Sequence, residues 1–540
     1  MKKRLFSLLV VSLMILSLVG CTAPSDATAS SQAPASTTAP SAAPADAAAS
    51  QTAAPENAKP ASAKDDAQPY YISMLLQTFA TEPASDDNRA LSYIEEYTNT
   101  DLDITWKVSN DYDTMIDVLV ASGDVPMVLT VRDQKDSVIV QAVKSGFFWD
   151  VTDYLDDTEN FPNLSSYNRD VAAQVRYDGR LYSLYNAADL SRSGWHYRKD
   201  WAENLNLTVP ETIDDIYEWA RAFTEDDPDQ NGKNDTFGLI MAADKAVRLE
   251  FHQMVINYGG GNEWVEDENG DLIPTFMTQP YIDAMDFFRK CYENGYMNQD
   301  YPSAAKSTIY QYWQAGQGGL FYMSLNDAFG KNVTAIYDAI PGATNDVFNL
   351  IQSVDGSYRN YPTAGWKAMV MFPKNAVAAN EDLEKILTFY DTMMSQEMQE
   401  FTTYGFEGEH WQLGADGYAE LLDEEGKSNL FADISFNLNY VDNKRPAHYS
   451  EIREKVIKMI ADAEPYAVIC GNNPYLSDTY TEIGASLDQA VFDARDKYIV
   501  GAIGLEEFQT AVDNWYQDGG QQIIAEYSQQ HRAAAAAAGN

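Results

Sequence analysis

The chain between residues 70 and 131 contains three short apolar runs, which read YYISMLL (70–76), LDITW (102–106) and VPMVLTV (125–131). Each run has the length and the β-branched, aromatic or aliphatic content of a β-strand. Two segments with helical spacing of apolar residues, 90–97 and 111–122, separate these runs. Strands that alternate with helices predict an α/β fold with a largely parallel sheet and helices on both faces.

Helical patterns dominate the later part of the chain. Thr212 has Asp215 three positions after it, which is the pattern of a capping box at the start of a helix. The apolar residues of that helix should form one buried stripe, which consists of Ile216, Trp219, Ala220 and Phe223. In the earlier helix, the residues expected on one face are Met115, Val118 and Leu119. From Ile452 onward the pattern is mainly helical, which predicts additional C-terminal helices.

The first 21 residues have the pattern of a signal peptide. Three basic residues precede an uncharged, mostly apolar run from Leu5 to Val19, which is too short to span a bilayer comfortably. The run ends at Gly20-Cys21 and resembles the bacterial lipobox, in which the cysteine becomes the lipid-modified first residue. We therefore expect a lipid anchor at Cys21 and a location on the extracellular face of the cell membrane. The alternative is an ordinary signal peptide in which Cys21 has no role.

Composition divides the rest of the chain. Residues 22–68 are almost entirely Ala, Ser, Thr and Pro, so they should form a disordered linker. The body at about 69–531 is too long for one hydrophobic core and should form at least two lobes. Residues 532–540 are expected to be a disordered tail.

The net charge limits the kinds of binding partner, and the number of cysteines limits the possible disulfides. The net charge is −44, from 81 acidic and 37 basic residues, which argues against nucleic acid and anionic lipid surfaces. Besides Cys21, the chain contains Cys291 and Cys470, which either form a disulfide or remain buried thiols. No second apolar segment is long enough for a bilayer, so transport across the membrane would belong to partner proteins.

One acidic loop has the spacing of an EF-hand calcium loop. Oxygen-bearing side chains occupy loop positions 1, 3, 5 and 9, namely Asp227, Asp229, Asn231 and Asp235. Gly232 stands at position 6, and the Lys233 carbonyl would be the ligand at position 7. Position 12 is Gly238 instead of glutamate, and the segment after the loop reads as a strand. We predict a structural calcium site, and the alternative is an acidic turn without a metal.

Several motifs resemble, in kind and order, those of the family 1 extracellular solute-binding lipoproteins of carbohydrate ABC transporters. The motifs are SGDVP (122–126), YDGRLY (177–182), YRKDW (197–201), VPET (209–212), the acidic loop, YGFEG (404–408) and YIVG (498–501). The nearest group contains alginate- and other oligosaccharide-binding members. Met127 departs from the pattern, because many members have an aspartate after the proline.

The resemblance implies a two-lobed, hinged fold of the periplasmic-binding-protein type that closes around its ligand. By motif order, lobe one would contain about 69–187 and 345–410, and lobe two about 188–344 and 411–531. It also implies a protein, expected to be a monomer, that captures an oligosaccharide and delivers it to ABC transporter permease subunits.

A sugar presents apolar C–H faces and a rim of hydroxyl groups, so its site needs aromatic platforms and planar polar side chains. Trp366 and Trp411 each follow a turn, and Trp195 lies near the predicted hinge. The polar candidates are Asp133, Gln134, Tyr322, Asn326 and Glu407. Several of them follow strands, and the ends of strands are where open α/β sheets bind ligands. Each tryptophan could instead belong to a core, and each polar residue to a solvated loop.

Two other functions compete with this interpretation. A surface glycoside hydrolase could use paired carboxylates such as Glu407 and Glu409, although carboxylate pairs arise by chance in a chain this acidic. The sequence has no G-x-S-x-G or H-E-x-x-H motif, and its histidines lack zinc-site spacing. A peptide-binding lipoprotein on the same scaffold is the second alternative. We therefore expect a binding protein and not an enzyme.

Overall fold

The computed structural model describes residues 68–78, 83–85, 87–242, 249–438 and 443–538, with the side chains of 109–111, 170, 432, 537 and 538 left aside. The predicted signal peptide, Cys21 and nearly all of the predicted linker lie outside the described residues.

The strands of the described chain are short. They are β1 Tyr70–Thr78, β2 Thr100–Val108, β3 Val128–Val131, β4 Ser183–Ala187, β5 Ser193–Arg198, β6 Phe237–Leu239, β7 Trp264–Glu266, β8 Leu272–Pro274, β9 Gly318–Ser324, β10 Asn345–Phe348, β11 Trp366–Met371, β12 Trp411–Leu413, β13 Ala419–Leu421 and β14 Ala447–His448.

The helices make up most of the regular structure. They are α1 Arg89–Thr98, α2 Ser109–Ser122, α3 Ser137–Lys144, α4 Arg169–Gln174, α5 Lys199–Asn204, α6 Ile213–Glu225, α7 Leu249–Asn257, α8 Gln279–Glu293, α9 Lys306–Gln314, α10 Lys331–Thr334, α11 Ile336–Ala339, α12 Asn380–Met393, α13 Gln396–Tyr404, α14 Glu424–Leu438, α15 Glu451–Ala463, α16 Ala485–Ile499, α17 Leu505–Trp515 and α18 Gln521–Ala538.

Two main sheets organise the molecule and confirm the α/β prediction. The first has the order β2-β1-β3-β11-β4, and the second has the order β10-β5-β9-β6. In the first sheet, β1 is parallel to β2 and β3, whereas β11 is antiparallel to β3 and β4. In the first sheet, the parallel arrangement expected from the sequence therefore holds for the strands of residues 70–131, and in the second sheet only β6 and β9 are parallel. The chain reaches β11 after passing through the second sheet, and it enters the first sheet in the opposite direction.

Each sheet has its own hydrophobic core. The first core includes Ile72, Leu129 and Met369. The second includes Trp195, Tyr322 and Phe288, and the C-terminal helices α16–α18 pack into it through residues such as Ile523. Two sheets with separate cores are what a chain of this length needs, since a single core of this size would be unusual.

Individual helices follow the predicted patterns to different degrees. Thr212 and Asp215 form the predicted capping box of α6, and Ile216, Trp219, Ala220 and Phe223 are all buried. In α2 the buried face is shifted by one residue from the prediction, because it contains Ile116 and Val120, and Val118 is 62% exposed. The Tyr112 hydroxyl fixes this orientation by donating to the carbonyls of Leu75 (3.0 Å) and Thr130 (2.8 Å).

Two segments lie elsewhere than the motif order suggests. Strand β10 begins at the border expected for lobe one, but it pairs with β5 of the second sheet, with Asn345 opposite Arg198. Helix α14 falls within the segment expected for lobe two, but its buried residues Phe431, Ile434 and Leu438 belong to the first core. Strand pairing and apolar packing, which motif order does not encode, decide both placements.

The C-terminal end also differs from the prediction. Residues 532–538, expected to be disordered, continue helix α18. Alanine has the highest intrinsic helix propensity, and a helix that has already started extends at low cost. Cys291 and Cys470 are both buried free thiols. Within the described ranges, no helix combines the length and the apolar character needed to cross a bilayer.

Candidate ligand-binding cleft

Two adjoining cavities lie where elements of both sheets meet. The larger has a volume of about 600 Å³, and its wall includes Ser193 at the start of β5, Ser324 at the end of β9 and Gln174 of α4. The smaller has a volume of about 300 Å³. Glu263 and Asn473 line both cavities. Together they form a cleft of the size typical of small-molecule sites.

The smaller cavity has one wall from the first sheet. Asp133 and Gln134, which directly follow the carboxyl end of β3, line it together with Trp366 at the start of β11. The opposite wall comes from α7, β7 and α16, through residues that include His252 and Trp264. The carboxyl end of a parallel strand is the usual ligand-binding edge of an open α/β sheet.

Glu263, which lines both cavities, has a strained backbone conformation. Its φ is 56°, in the left-handed region that side-chain-bearing residues rarely adopt. The Glu263 carbonyl accepts a hydrogen bond from the Thr275 amide at 2.7 Å, and the Tyr361 hydroxyl lies 3.4 Å from Glu263 Oε1. Strain of this kind is concentrated at ligand sites, where the surrounding structure maintains it.

Aromatic side chains form much of the cleft wall. Tyr361 stacks on His252 with ring centroids 5.2 Å apart, and burial raises the pKa of the Tyr361 hydroxyl well above its usual value. The hydroxyl therefore stays protonated and available as a donor. Trp264 packs edge-on against Tyr527 at 4.9 Å, whereas Trp366 is only half-buried. Trp366 is thus the wall tryptophan with the most accessible surface for a ligand.

Lys135 links the two sides of the cleft. Its ammonium donates to the carbonyl of Asn472 at 3.1 Å and lies 5.2 Å above the ring of Tyr527. Burial lowers the pKa of this ammonium from its usual value. Beside it, the Asn473 amide donates to Gln174 Oε1 at 2.7 Å.

Of the residues predicted to bind the ligand, Asp133, Gln134 and Trp366 line the smaller cavity. Trp195 lies in the second core, 1% exposed, and packs against Phe348. Asn326 lies between Ser324 and Asp327, which line the larger cavity, but it does not line the cavity itself.

Tyr322 supports the cleft from behind its wall. Its hydroxyl donates to Gln253 Oε1 at 2.9 Å, and the amide of Tyr361 donates to the same oxygen at 2.8 Å. Tyr322 is buried and lines neither cavity, so its contribution is to position Tyr361.

The structure places Glu407 and Trp411 away from both cavities. Trp411 is buried in a small separate cluster with Tyr404, and its indole N–H donates to the Gly405 carbonyl at 3.1 Å. Glu407 is exposed, and the neighbouring Glu409 pairs with Arg89 at 2.7 Å. The carboxylates considered for hydrolysis therefore line neither of the two cavities.

Sequence reasoning missed several residues of the cleft, including Glu263, Tyr361 and Arg495. The three glycines at 259–261 directly before Asn262 and Glu263 were a usable signal, since glycine runs permit unusual backbone conformations. Arg495 lies in the middle of α16, and nothing in the local pattern distinguishes it from a surface residue.

The acidic loop folds around its own side chains between α6 and β6. Asp227 Oδ1 and Oδ2 accept the backbone N–H groups of Asn231 (3.1 Å) and Gly232 (3.0 Å), and Gly232 has a φ of 76°. The Asn231 side-chain nitrogen lies between Asp229 Oδ2 (2.7 Å) and Asp235 Oδ1 (3.1 Å).

The donor set of this loop fits a hard cation. Burial, together with the neighbouring carboxylates of Asp227 and Asp235, raises the pKa of Asp229. A cation among these oxygens would relieve their repulsion, and oxygen ligands are those that calcium prefers. Within the described residues, no set of three or more Asp, Glu, His or Cys side chains already has the geometry of a metal site.

Comparison with known proteins places the chain in a family. Residues 78–400 match the family model described as bacterial extracellular solute-binding protein. The chain is 33% identical over 469 residues to the polygalacturonan/rhamnogalacturonan-binding protein YtcQ of Bacillus subtilis (strain 168), covering 86% of this chain and 91% of YtcQ. It is 29% identical over 496 residues to the lipoprotein LipO of the same organism, covering 88% of this chain and 95% of LipO.

A solved structure shows the same fold. It is the Streptococcus pneumoniae ABC-transporter substrate-binding protein FusA, as an EF-hand mutant in complex with fructo-nystose, with a TM-score of 0.63 and 17% identity. The match covers 86% of this chain and 99% of FusA. The family resemblance predicted from the motifs is confirmed, and the chain belongs to the bacterial extracellular solute-binding proteins.

Proposed function

We propose that this protein is the substrate-binding lipoprotein of a carbohydrate ABC importer. It would hold an oligosaccharide between two lobes and deliver it to permease subunits in the membrane. The names of two relatives support this proposal, since YtcQ is described as polygalacturonan/rhamnogalacturonan-binding and FusA was solved with fructo-nystose.

The cleft is the observation that carries the proposal. A half-buried tryptophan, Trp366, lines the smaller cavity together with Trp264 and His252, and Tyr361, which stacks on His252, lines the larger one. Between them, Glu263 supplies carboxylate oxygens that can accept hydrogen bonds from sugar hydroxyls. Aromatic platforms combined with a few fixed polar groups are the chemistry that a sugar requires.

The sheet pairing also suggests how the lobes are divided. We assign about 69–187, 366–438 and 443–448 to lobe one, since β14 pairs with β13, and about 188–365 and 449–538 to lobe two. Hinge motion would then take place in the connections at 188–192 and 349–365, which join strands of the two main sheets, and at 449–450, between β14 and α15. Hinge closure is a general way for a two-lobed protein to let both walls contact one ligand.

A ligand screen tests the proposed function. Oligogalacturonides and fructo-oligosaccharides, each in excess, are expected to raise the melting temperature of the mature chain, because a ligand that binds only the native state stabilises it. Chromatography of the same mixtures should show unchanged sugars. Shortened products would instead favour the glycoside hydrolase, and stabilisation by peptides alone would favour the peptide-binding lipoprotein.

We further propose that the acidic loop binds a structural calcium ion. Asp227, Asp229, Asn231 and Asp235 would supply side-chain oxygens, and Lys233 its carbonyl. The donor set supports this assignment, as does the existence of an EF-hand in FusA, which the name of its mutant implies. The ion would fix the connection between α6 and β6.

A lipid anchor at Cys21 completes the proposal. The lipobox-like end of the apolar run supports it, and the relative LipO is described as a lipoprotein. The anchor would keep the protein on the extracellular face of the cell membrane, beside the permease.

A further inference from the structure

Residues 472–478 connect the two hydrophobic cores. We call this stretch the latch segment, and it lies between α15 and α16, in the part of the chain assigned to lobe two. Tyr475 packs against the second core, whereas the next residue, Leu476, packs against the first. Neighbouring residues that pack against different cores place the segment across the boundary between the proposed lobes.

Polar contacts with elements of lobe one extend along the latch segment. They are the hydrogen bond from the Lys135 ammonium to the Asn472 carbonyl (3.1 Å), the hydrogen bond from the Asn473 amide to Gln174 Oε1 (2.7 Å), and the ion pair of Lys144 with Asp478. Lys144 and Asp478 line neither cavity of the cleft. A change in this ion pair therefore reaches a bound ligand through the lobes or through net charge, and not through a lost contact.

Helix α18 fixes the latch segment on the second lobe. The Glu526 carboxylate accepts hydrogen bonds from the Ser477 hydroxyl, the Thr479 amide (3.2 Å) and the Thr479 hydroxyl (2.9 Å). One turn later, Gln530 Oε1 accepts the Leu476 amide at 3.2 Å, and Gln530 Nε2 donates to the Leu476 carbonyl. Because these hydrogen bonds hold the segment on α18, opening of the cleft would break its contacts with lobe one first.

The contacts with lobe one are too weak to hold the lobes together permanently. The side chains of Lys144 and Asp478 are 35% and 72% exposed, and exposed ion pairs change an equilibrium by about fivefold at most. Beyond Asp478 the surfaces separate around a groove of about 730 Å³, which is lined by α2, α3, Thr481 and Glu482. The segment can thus favour closure of the lobes without locking them.

We propose that the latch segment holds the cleft closed over a bound oligosaccharide and thereby slows the release of the sugar. The inference rests on the proposed function and concerns the regulation of that same site. Asn472 and Asn473 line the cleft, so the segment belongs to the wall that moves when the cleft opens. Contacts made only in the closed arrangement stabilise it with and without ligand. Breaking them should therefore speed release and enlarge the ligand-free molecule.

Charge reversals test the latch through the release rate. Lys144→Glu and Asp478→Lys each replace the ion pair by two like charges, and each should increase the dissociation rate constant of a galacturonic acid tetramer about fivefold. The double variant, Lys144→Glu with Asp478→Lys, restores an opposite pair and should return the rate to that of the parent. Stopped-flow tryptophan fluorescence on the mature chain measures the rate, since Trp264 and Trp366 line the smaller cavity.

The two single variants also distinguish the latch from an effect of net charge. If only the local charge mattered, the acidic probe would leave faster from Lys144→Glu and more slowly from Asp478→Lys. The matched control is Lys385→Glu, which reverses one member of an exposed ion pair with Asp382 on α12, within lobe one. This control should leave the release rate unchanged.

Small-angle X-ray scattering gives a second readout that requires no sugar. The ligand-free single variants should have a larger radius of gyration than the parent, because fewer of their molecules are closed, and the double variant should match the parent. Saturating tetramer should bring the parent and the three variants to the same radius, since the ligand then dominates closure.

The outcomes separate this inference from the proposed function. If the tetramer binds but either the release rate or the ligand-free radius of the single variants equals that of the parent, the latch is overturned and the proposed function stands. Opposite shifts of the release rate in the two single variants, or a double variant that does not restore it, also overturn the latch. If neither the tetramer nor fructo-oligosaccharides bind, the proposed function fails. An unchanged radius then overturns the latch as well, whereas a radius restored in the double variant would still support it.

Discussion

At the scale of single residues, burial separates the tryptophans that support the fold from the one available to a ligand. Trp195 and Trp411 are buried and line neither cavity, and Trp264, in the wall of the smaller cavity, is only 7% exposed. Trp366 begins β11, and its exposed part forms the wall of the smaller cavity. Truncating the side chain of such a residue should reduce the stability of the fold moderately and the affinity for the ligand strongly.

The first prediction concerns Trp366. Trp366→Ala should weaken oligosaccharide binding by about ten- to a hundredfold, as for other well-placed aromatic anchors, because the stacking surface disappears. Calorimetry with an oligogalacturonide measures the effect. Trp106→Ala is the control, since Trp106 is also half-buried in the first sheet but lies on β2, away from the cavities. Equal losses in both variants would indicate a general effect on the lobe and contradict the platform role.

The second prediction concerns His196 of β5, which is fully buried. Its Nε2–H donates to the Ser324 carbonyl at 2.9 Å, its ring stacks on Phe321 at 4.7 Å, and burial lowers its pKa to about 4. Between pH 6.5 and 4, the unfolded chain binds a proton at this residue and the native chain does not. Stability is therefore lost as the pH falls through that window, by up to about 3 kcal/mol.

Urea unfolding at pH 7, 5 and 4 measures this contribution. His196→Phe keeps the stacked ring but cannot titrate, so its free energy of unfolding should fall less between pH 7 and pH 4 than that of the parent. The carboxylates contribute equally in both proteins and cancel in the comparison. Parallel curves for the two proteins would show that His196 does not control the acid sensitivity.

At the scale of elements, the connection between α6 and β6 is ordered by polar groups and not by apolar burial. Its hydrogen bonds join the carboxylates of Asp227, Asp229 and Asp235 to Asn231 and to backbone amides. The loop is mostly exposed, so little hydrophobic free energy holds it. A cation would supply the missing stabilisation.

The third prediction follows for this loop. Millimolar calcium should raise the melting temperature of the parent, and Asp229→Ala should abolish the rise, since binding to the native state alone stabilises it. The control is Asp267→Ala in the turn between β7 and β8, where Asp267 caps the amides of Asn269 and Asp271 in a similar way. Identical melting curves in chelator and in calcium would remove the calcium proposal.

At the scale of the whole molecule, the two walls of the cleft already touch. Gln174 and Lys135 contact Asn473 and Asn472, and Lys144 pairs with Asp478. These contacts are polar and small in number, as expected for lobes that separate when a ligand leaves. The proposed lipid anchor would decide where this body works in the cell.

The fourth prediction concerns that anchor. Cys21→Ser should move the protein from the membrane fraction to the soluble fraction of detergent-free lysates, because the serine cannot receive the lipid. Immunoblotting of both fractions measures the distribution. The serine variant should keep its ligand affinity, since Cys21 lies about 50 residues before the first strand. A variant that remains wholly with the membranes would contradict the lipobox interpretation.

Local sequence patterns were sufficient to predict several elements of this protein and its family. Short-range patterns of apolar and capping residues predicted the strands near residues 70–131, the capping box of α6 and the turn of the acidic loop. Such patterns act through neighbours a few positions apart, which is why they can be read without a structure. The ordered set of motifs likewise predicted the family, because it depends on sequence alone.

The cleft itself depended on tertiary structure. Arg192, Lys306 and Arg495 are far apart in the chain, and only the packing of the two sheets brings them to one cleft. A sequence pattern shows that a tryptophan prefers burial, but it does not show whether protein or ligand will cover the ring. Of the predicted ligand-binding tryptophans, Trp411 and Trp195 do not line the cleft, whereas Trp366 does. Glu263, which was not predicted, also lines it, because long-range packing decides which surfaces remain open.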